Sequence, residues 1–273
     1  MRKFPLNPGI DVVGTVIDSA APTIKEKEKV IITGWGMGEI HDGGYSEVVR
    51  VPASWALPLP SGLTAREAMI MGTAGLTAAL CLYRLEANGQ TPDMGPIVVT
   101  GSTGGVGSLA IAMLKEKGYQ IHAVTGKIGE SDYLRSLGAD HVTDIKGLNL
   151  GSGPLASARF GGAIDCIGGS VLAGILRHVT HWGTVISVGL AGGSQLETSI
   201  MPLILRGVGL LGVSASNCSA ELRHFLWAKM TKELSKGVLD TILSGVISLE
   251  DVSKYSHKML DRQTKGRFVI QLK

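Results

Sequence analysis

Cysteine is scarce in this chain of 273 residues, and the three present, Cys81, Cys166 and Cys218, lie far apart with no C-x-x-C pair. An odd, scattered set builds neither a disulfide framework nor a four-thiolate zinc site, and it suits a reducing compartment, so the expected location is cytoplasmic. Charge of one sign is lacking too: 26 basic residues against 23 acidic ones leave a formal net charge of +3, dispersed along the chain. That balance offers no electrostatic footprint for nucleic acid or an anionic membrane, and neither is expected as a partner. The start Met1-Arg2-Lys3-Phe4-Pro5 is basic, but Pro5, Pro8 and Asp11 arrive before an apolar run can build, so no signal peptide is expected. The apolar stretch Met201 to Val213 is interrupted by Pro202, Arg206 and glycines and is too broken to span a bilayer.

What is present is enough apolar material, 44% of the chain, for a substantial core, and a length that predicts one large domain with a smaller lobe. From Asp11 to about Leu57, short β-branched runs (Val12 to Ile17, Val30 to Thr33, Tyr45 to Val51) are broken by Gly and Pro, as in a small β-rich lobe. The turn-rich link Pro58-Leu59-Pro60-Ser61-Gly62 follows, then two helical patterns, Thr64 to Met71 and Thr77 to Leu85. The division is therefore set at 62/63, with 63–217 as a nucleotide domain and 1–62 plus 218–273 as the small lobe. Between Pro96 and Ser214, apolar strands (Ile97 to Thr100, Ile121 to Thr125, Ala163 to Ile167, Thr184 to Val188, Gly209 to Val213) alternate with helices, the pattern of a parallel α/β sheet. Val106, Leu109, Ala110 and Met113 repeat at helical spacing, and so do Val171, Leu172, Ile175, Leu176 and Val179 behind Ser170, the expected N-cap. A helix is expected around Glu221 to Leu234, and a last strand, Arg267 to Leu272, is expected to return to the small lobe.

Between the first of the parallel strands and its helix stands Thr100-Gly101-Ser102-Thr103-Gly104-Gly105-Val106-Gly107-Ser108. A diphosphate needs backbone N–H groups at close range at a helix N-terminus, and glycine removes the side chains that would hold it away. Alone, a glycine turn is a weak signal; a strand before it and a helix after it make it a dinucleotide fingerprint. About 20 positions on, where NAD-binding proteins place a carboxylate for the ribose, this chain has Thr125-Gly126-Lys127. A hydroxyl and an ammonium favour a 2′-phosphate, which predicts NADPH; Glu130 close by keeps NADH as the minor alternative. A P-loop is excluded because Gly126-Lys127 is followed by Ile128. The Tyr-x-x-x-Lys pair of short-chain dehydrogenases is absent at Tyr45, Tyr83, Tyr119, Tyr133 and Tyr255. His178 and His181 are read as solvent-side or capping residues and His41 as the best lone histidine for a pocket; no metal is expected.

These strings, with Pro8-Gly9-Ile10-Asp11, Thr33-Gly34-Trp35-Gly36, Gly43-Gly44-Tyr45-Ser46-Glu47, Gly72-Thr73-Ala74-Gly75-Leu76-Thr77-Ala78, Asp132-Tyr133-Leu134 and Gly189-Leu190-Ala191-Gly192-Gly193, run in order over nearly the whole chain. They resemble the medium-chain dehydrogenase/reductases, within them the zinc-free quinone-oxidoreductase branch, and there the acrylyl-CoA reductase group. Zinc-bearing relatives have Gly-His-Glu where this chain has Gly9-Ile10-Asp11. The resemblance implies a doubly wound Rossmann-type sheet with a smaller GroES-like lobe. It implies NADPH across Thr103, Gly104, Gly105 and Val106, with Thr125, Gly126 and Lys127 at the 2′-phosphate and Thr77 and Leu190 toward the nicotinamide. It also implies a homodimer through the last strand of the nucleotide domain, near Leu210 to Ser214. The bland readings are that Thr77 is simply buried in a helix and that Gly189 to Gly193 is a plain turn.

Family members carry a stretch before the Pro-Gly-Ile-Asp segment, including an Asn-Tyr pair beside the nicotinamide, so the small lobe is expected to be truncated at its N-terminus. The expected reaction is hydride transfer from NADPH to an enoyl thioester, enone or quinone, with no acid or base assignable from the residues present. The alternative is a non-catalytic NADPH-binding protein or an inactive paralogue.

Overall fold

β-Branched runs, Gly-rich turns and helical repeats become, in chain order, β1 (Asp11–Thr15), β2 (Lys29–Thr33), β3 (Leu57–Pro58), α1 (Ala65–Ala87), β4 (Ile97–Thr100), α2 (Gly105–Glu116), β5 (Ile121–Val124), α3 (Ser131–Ser136), β6 (His141–Thr143) and β7 (Gly162–Asp165). There follow α4 (Gly169–Leu176), β8 (Thr184–Ser187), α5 (Met201–Arg206), β9 (Gly209–Gly212), α6 (Ala220–Glu233), α7 (Lys236–Ile242), β10 (Leu243–Ile247), α8 (Val252–Leu260) and β11 (Arg267–Ile270). The structure is a computed structural model that describes residues 4–272; the basic Met1–Lys3 start lies outside the described residues. The chain forms two compact units, one from the residues up to Leu76 together with Ser214 onward, the other Thr77–Val213. The first division thus falls inside α1 and not at the Pro58–Gly62 turn.

In the Thr77–Val213 unit the sheet has the order β6-β5-β4-β7-β8-β9, and every pairing is parallel. Parallel strands are covered on both faces, which is why β4 and β7 are buried at every residue and read as continuous apolar runs. The order reverses direction between β4 and β7, the switch point outside whose carboxyl ends ligands bind in open α/β sheets. Val98, Val124, Phe160, Ala163, Leu172, Ile175 and Val185 join in one core. α2 buries Gly107 to Leu114 without interruption, so the expected single stripe is part of a helix covered nearly all round. α4 begins at Gly169 with Gly168 as N-cap, which corrects the assignment of that role to Ser170. Gly168 and Gly169 have φ of 76° and 56°, a left-handed backbone that serine adopts only at a cost. β6, three residues long, is too short for its period to be visible beforehand.

In the other unit, β1, β2 and β3 form an antiparallel sheet over a core of Ile24, Val30, Ile32 and Met37, with Val12, Trp35 and Trp55 packed on it. Tyr45 to Val51, expected as a strand, is irregular. Its N-terminal end is held by Tyr45 N–H donating to Pro8 O at 3.0 Å and Gly44 N–H to Gly9 O at 2.8 Å. β-Propensity becomes a strand only where a ladder partner lies alongside. The last strand is real but pairs parallel with β10, which Ser244 and Gly245 and a register shift at Leu243/Gly245 disguise.

α1 joins the two expected helical patterns into one element interrupted at Gly72 (φ 47°, ψ −150°). Its start is a reciprocal cap: Thr64 N–H donates to Glu67 Oε2 at 2.8 Å and Glu67 N–H to Thr64 Oγ1 at 3.2 Å. Among the described residues α1, not Met201 to Val213, is long and apolar enough to cross a membrane, but 78% of its most apolar window is buried in the fold, as in a core helix.

Candidate functional site

The glycine turn leaves β4 at the switch point. Gly101 takes φ +60°, and Gly104 N–H donates back to Gly101 O at 2.9 Å, closing the turn. Ser102, fully buried, stitches it to the sheet: its hydroxyl donates to Val99 O at 2.6 Å and accepts from Val124 N–H at 2.8 Å. Ser108 Oγ donates to Ser102 O at 3.1 Å and accepts from the Tyr133 hydroxyl at 2.8 Å. A Cβ on Gly107 would lie 2.6 Å from Gly101 O and 2.8 Å from Ser102 Cα, so this glycine lets the helix close on the turn. Gly104, by contrast, is exposed, and a Cβ there would come no nearer than 3.2 Å to Gly101 O. The first-turn amides of α2, those of Gly105 and Val106 among them, have no acceptor within the helix, the feature by which helix N-termini attract anions.

Two predicted residues far apart in sequence meet here. Thr103 Oγ1 and Thr125 Oγ1 are 3.3 Å apart, both buried, and Lys127 N–H donates to Thr125 Oγ1 at 3.0 Å. Gly126 is exposed and Lys127 half-buried, at the head of a short turn in which Glu130 N–H donates to Lys127 O at 2.9 Å. The glycine turn, Thr125 and Lys127 therefore sit side by side at the carboxyl ends of β4 and β5. Thr77 is buried in the second half of α1, and Leu190 is 69% exposed on the loop after β8.

Sequence reasoning missed the residues that close the other side of the switch point. Asp165, the last residue of β7, has no exposed surface, and its carboxylate accepts from Thr100 Oγ1 at 2.6 Å, Gly168 N–H at 2.7 Å and Ile167 N–H at 3.4 Å. Thr100 Oγ1 in turn accepts from Cys166 N–H at 2.9 Å. Burial pushes the Asp165 carboxyl above its usual range, and the three hydrogen bonds pull it part of the way back. The turn after β7 then packs on the Gly189–Gly193 loop through Gly192 N–H to Ile167 O at 2.7 Å and a bridge between Gly168 and Gly193. The visible signal was a lone carboxylate inside the apolar run Ala163 to Ile167.

The histidines have other work. His178 is buried with its ring nitrogens 2.9 Å from Ser157 O and 3.1 Å from Leu150 O, while His181 is exposed. His41 stacks edge-on against Trp55 and lines a cavity of about 570 Å³ with Asn7, Asp42 and Arg50. Among the described residues no three His, Cys, Asp or Glu side chains come together to hold a metal. Asp11, in the segment where zinc-bearing relatives place Gly-His-Glu, is engaged by Thr73 N–H at 2.9 Å, Thr73 Oγ1 at 2.5 Å and Arg267 at 3.5 Å. Burial pushes the Cys166 thiol up to about 12.

Comparison with known proteins agrees with this geometry. The zinc-binding dehydrogenase family profile matches residues 105–232. The acrylyl-CoA reductase AcuI of Ruegeria pomeroyi is 41% identical over 273 residues, covering 100% of this chain and 82% of its own. YhfP of Bacillus subtilis, named for quinone oxidoreduction, is 40% identical over 273 residues, covering 100% of this chain and 83% of its own. Its crystal structure with NAD bound superposes with a TM-score of 0.95 at 39% identity, covering 100% and 83% of the two chains. That of YhdH from Escherichia coli K-12 with bound NADPH gives 0.97 at 41% identity, covering 100% and 84%. Identity of this level along the entire chain, with TM-scores of 0.95 and 0.97 to the solved structures, means that the protein belongs to the zinc-binding dehydrogenase family, the medium-chain dehydrogenase/reductases.

Proposed function

We propose that the protein is an NADPH-dependent, zinc-independent reductase of activated carbon–carbon double bonds, acting on an enoyl thioester of the acrylyl-CoA kind, an enone or a quinone. The observation that carries this reading is the glycine turn at the switch point with Thr125 and Lys127 beside it. The names of the relatives, an acrylyl-CoA reductase and a quinone oxidoreductase, support the substrate class. The amides of Gly105 and Val106, with Thr103 and Gly104, hold the diphosphate; Thr125, Gly126 and Lys127 take the 2′-phosphate; Thr77 and Leu190 bound the nicotinamide end. When bound, the dihydronicotinamide would supply a hydride: with an enoyl thioester or enone it would go to the β-carbon and a proton from water to the α-carbon, and with a quinone the hydride and a proton would give the hydroquinone. The Thr77–Val213 unit is the cofactor domain and the other unit the substrate lobe.

The test is titration with NADPH and NADH, then an acceptor screen with acryloyl-CoA and simple quinones on the same preparation. NADPH binding with oxidation by at least one acceptor is the expected result; folded protein that oxidises NADPH with none of them defeats the reading. NADH belongs in the titration because a relative's structure holds NAD. Lys127→Ala is expected to raise the NADPH Kd about tenfold while moving that for NADH little, since it removes one charge from the 2′-phosphate.

A homodimer through β9 belongs to the same proposal. β9 is the edge of the sheet, and Trp182, Ile204 and Leu205 nearby are 74%, 68% and 55% exposed, an apolar edge that pairing would cover. A monomeric mass in light scattering would count against it. The free thiols Cys81, Cys166 and Cys218 accord with a cytoplasmic location.

A further inference from the structure

The central strands β4 and β7 part company at the switch point, and each hands its chain to a turn that flanks the crevice: Gly101–Gly104 after β4, Cys166–Gly168 after β7. One side-chain pair joins them at that place. Thr100 Oγ1 donates to Asp165 Oδ1 at 2.6 Å and accepts from Cys166 N–H at 2.9 Å, while Asp165 Oδ2 takes the Gly168 N–H at 2.7 Å. Both side chains are wholly buried. The main-chain carbonyl of Asp165 also accepts from Val188 N–H at 2.9 Å and Gly189 N–H at 3.2 Å, so the same residue anchors the start of the Gly189–Gly193 loop.

The turns have little slack. A Cβ on Gly101 would stand 3.1 Å from Cys166 Cβ, one on Gly168 2.6 Å from Gly193 O, and one on Gly189 2.2 Å from Cys166 O. In such a backbone-on-backbone arrangement a donor left without its acceptor moves the turn, because no side chain can swing in to replace it.

We propose that Thr100 and Asp165 are positioning residues that act as a strut across the switch point, holding the turn after β7 and the Gly189–Gly193 loop at the spacing the cofactor needs. This rests on the reading of the crevice as the NADPH site. The pair touches no reacting atom; it acts through the backbone amides of Cys166 and Gly168, the latter bridged to Gly193. Threonine suits the post because a single hydroxyl both gives and accepts a hydrogen bond there, which valine of the same shape does not.

The test compares wild type, Thr100→Val and Thr100→Ser by NADPH titration, with circular dichroism to establish folding and amide hydrogen exchange at Cys166 and Gly168. Thr100→Val is expected to stay folded, to lose protection at the Cys166 amide, whose acceptor it removes, with less change at Gly168, and to raise the NADPH Kd about tenfold, the cost of one buried donor left unpaired. Thr100→Ser is expected to return the Kd to within about twofold, since it restores the hydroxyl. In steady state the loss appears in KM for NADPH more than in kcat. A folded Thr100→Val that binds NADPH like wild type overturns the strut. If Thr100→Val does not fold, Asp165→Asn, of equal volume, is read by the same criteria and an unchanged Kd overturns the proposal equally. Wild-type protein that binds no NADPH sinks the cofactor reading itself, and the strut with it; the wild-type arm keeps the two failures apart.

Discussion

Each unit holds one aspartate that ties distant segments through a threonine, and the two ties are built differently. Asp11 grips Thr73 across the break in α1 at Gly72, and Arg267 stands beside it at 3.5 Å, with 14% and 24% of the two side chains exposed. Asp165 grips Thr100 in full burial, and among the described residues its carboxylate accepts from a hydroxyl and two amides, none of them charged. A partly hydrated carboxylate with a counter-ion loses part of its support and lets water in; a dry one held only by hydrogen bonds leaves every donor stranded when it goes. The second kind of tie is suited to fixing a binding surface, the first to holding a helix break.

The largest effect is expected of Asp165→Ala, a destabilisation of about 3 kcal/mol in urea unfolding, because the Thr100 hydroxyl and two amides lose their acceptor. A loss no larger than that of Asp11→Ala would erase the distinction. Gly107→Ala comes next, at about 2 kcal/mol with weakened NADPH binding, since its Cβ would meet Gly101 O at 2.6 Å. Gly104→Ala, at 3.2 Å from the same oxygen, is the control and is expected to be close to neutral in stability.

Asp11→Ala is expected to cost about 1 kcal/mol, and part of that is expected to disappear at high salt, as for a pair within reach of solvent. A salt-independent loss would show that the Thr73 bonds, and not Arg267, carry the tie. A further effect concerns acid. Burial, then His141 and Arg159, lower the His122 pKa from 6.5 to about 4, so the folded protein prefers the neutral ring. Its contribution is therefore present above pH 6.5 and lost as pH falls from 6.5 toward about 4, where the unfolded chain binds the proton first. Asp165, with its carboxyl raised, acts with the opposite sign on acidification. Replacing His122 by Gln is expected to flatten the stability profile in that window, and an unchanged slope would assign it to other groups.

Much of the nucleotide unit was legible because its local signals agree. Ile97 to Thr100, the glycine turn and the helix behind it each identify themselves within a few residues, and the strands later in the chain repeat the pattern. The small unit was less so. Tyr45 to Val51 has the composition of a strand and no ladder in the structure, while β10, with Ser and Gly in it, is a strand only because β11 lies alongside. Of the candidate site, the places of Thr103, Thr125 and Lys127 after strands β4 and β5 were readable; those of Thr100 and Asp165 were not, because a threonine ending a strand and an aspartate inside an apolar run have no local meaning.

The order of residues by itself determined the alternation of strand and helix, the glycine turn and the choice of Thr125-Gly126-Lys127 over a carboxylate, all of which depend on neighbours within a few positions. Only the tertiary structure decided that β4 and β7 lie side by side, and hence that Asp165 meets Thr100 from 65 residues away. A buried carboxylate is tolerable only where donors converge on it, and convergence belongs to the folded sheet, not to any stretch of chain.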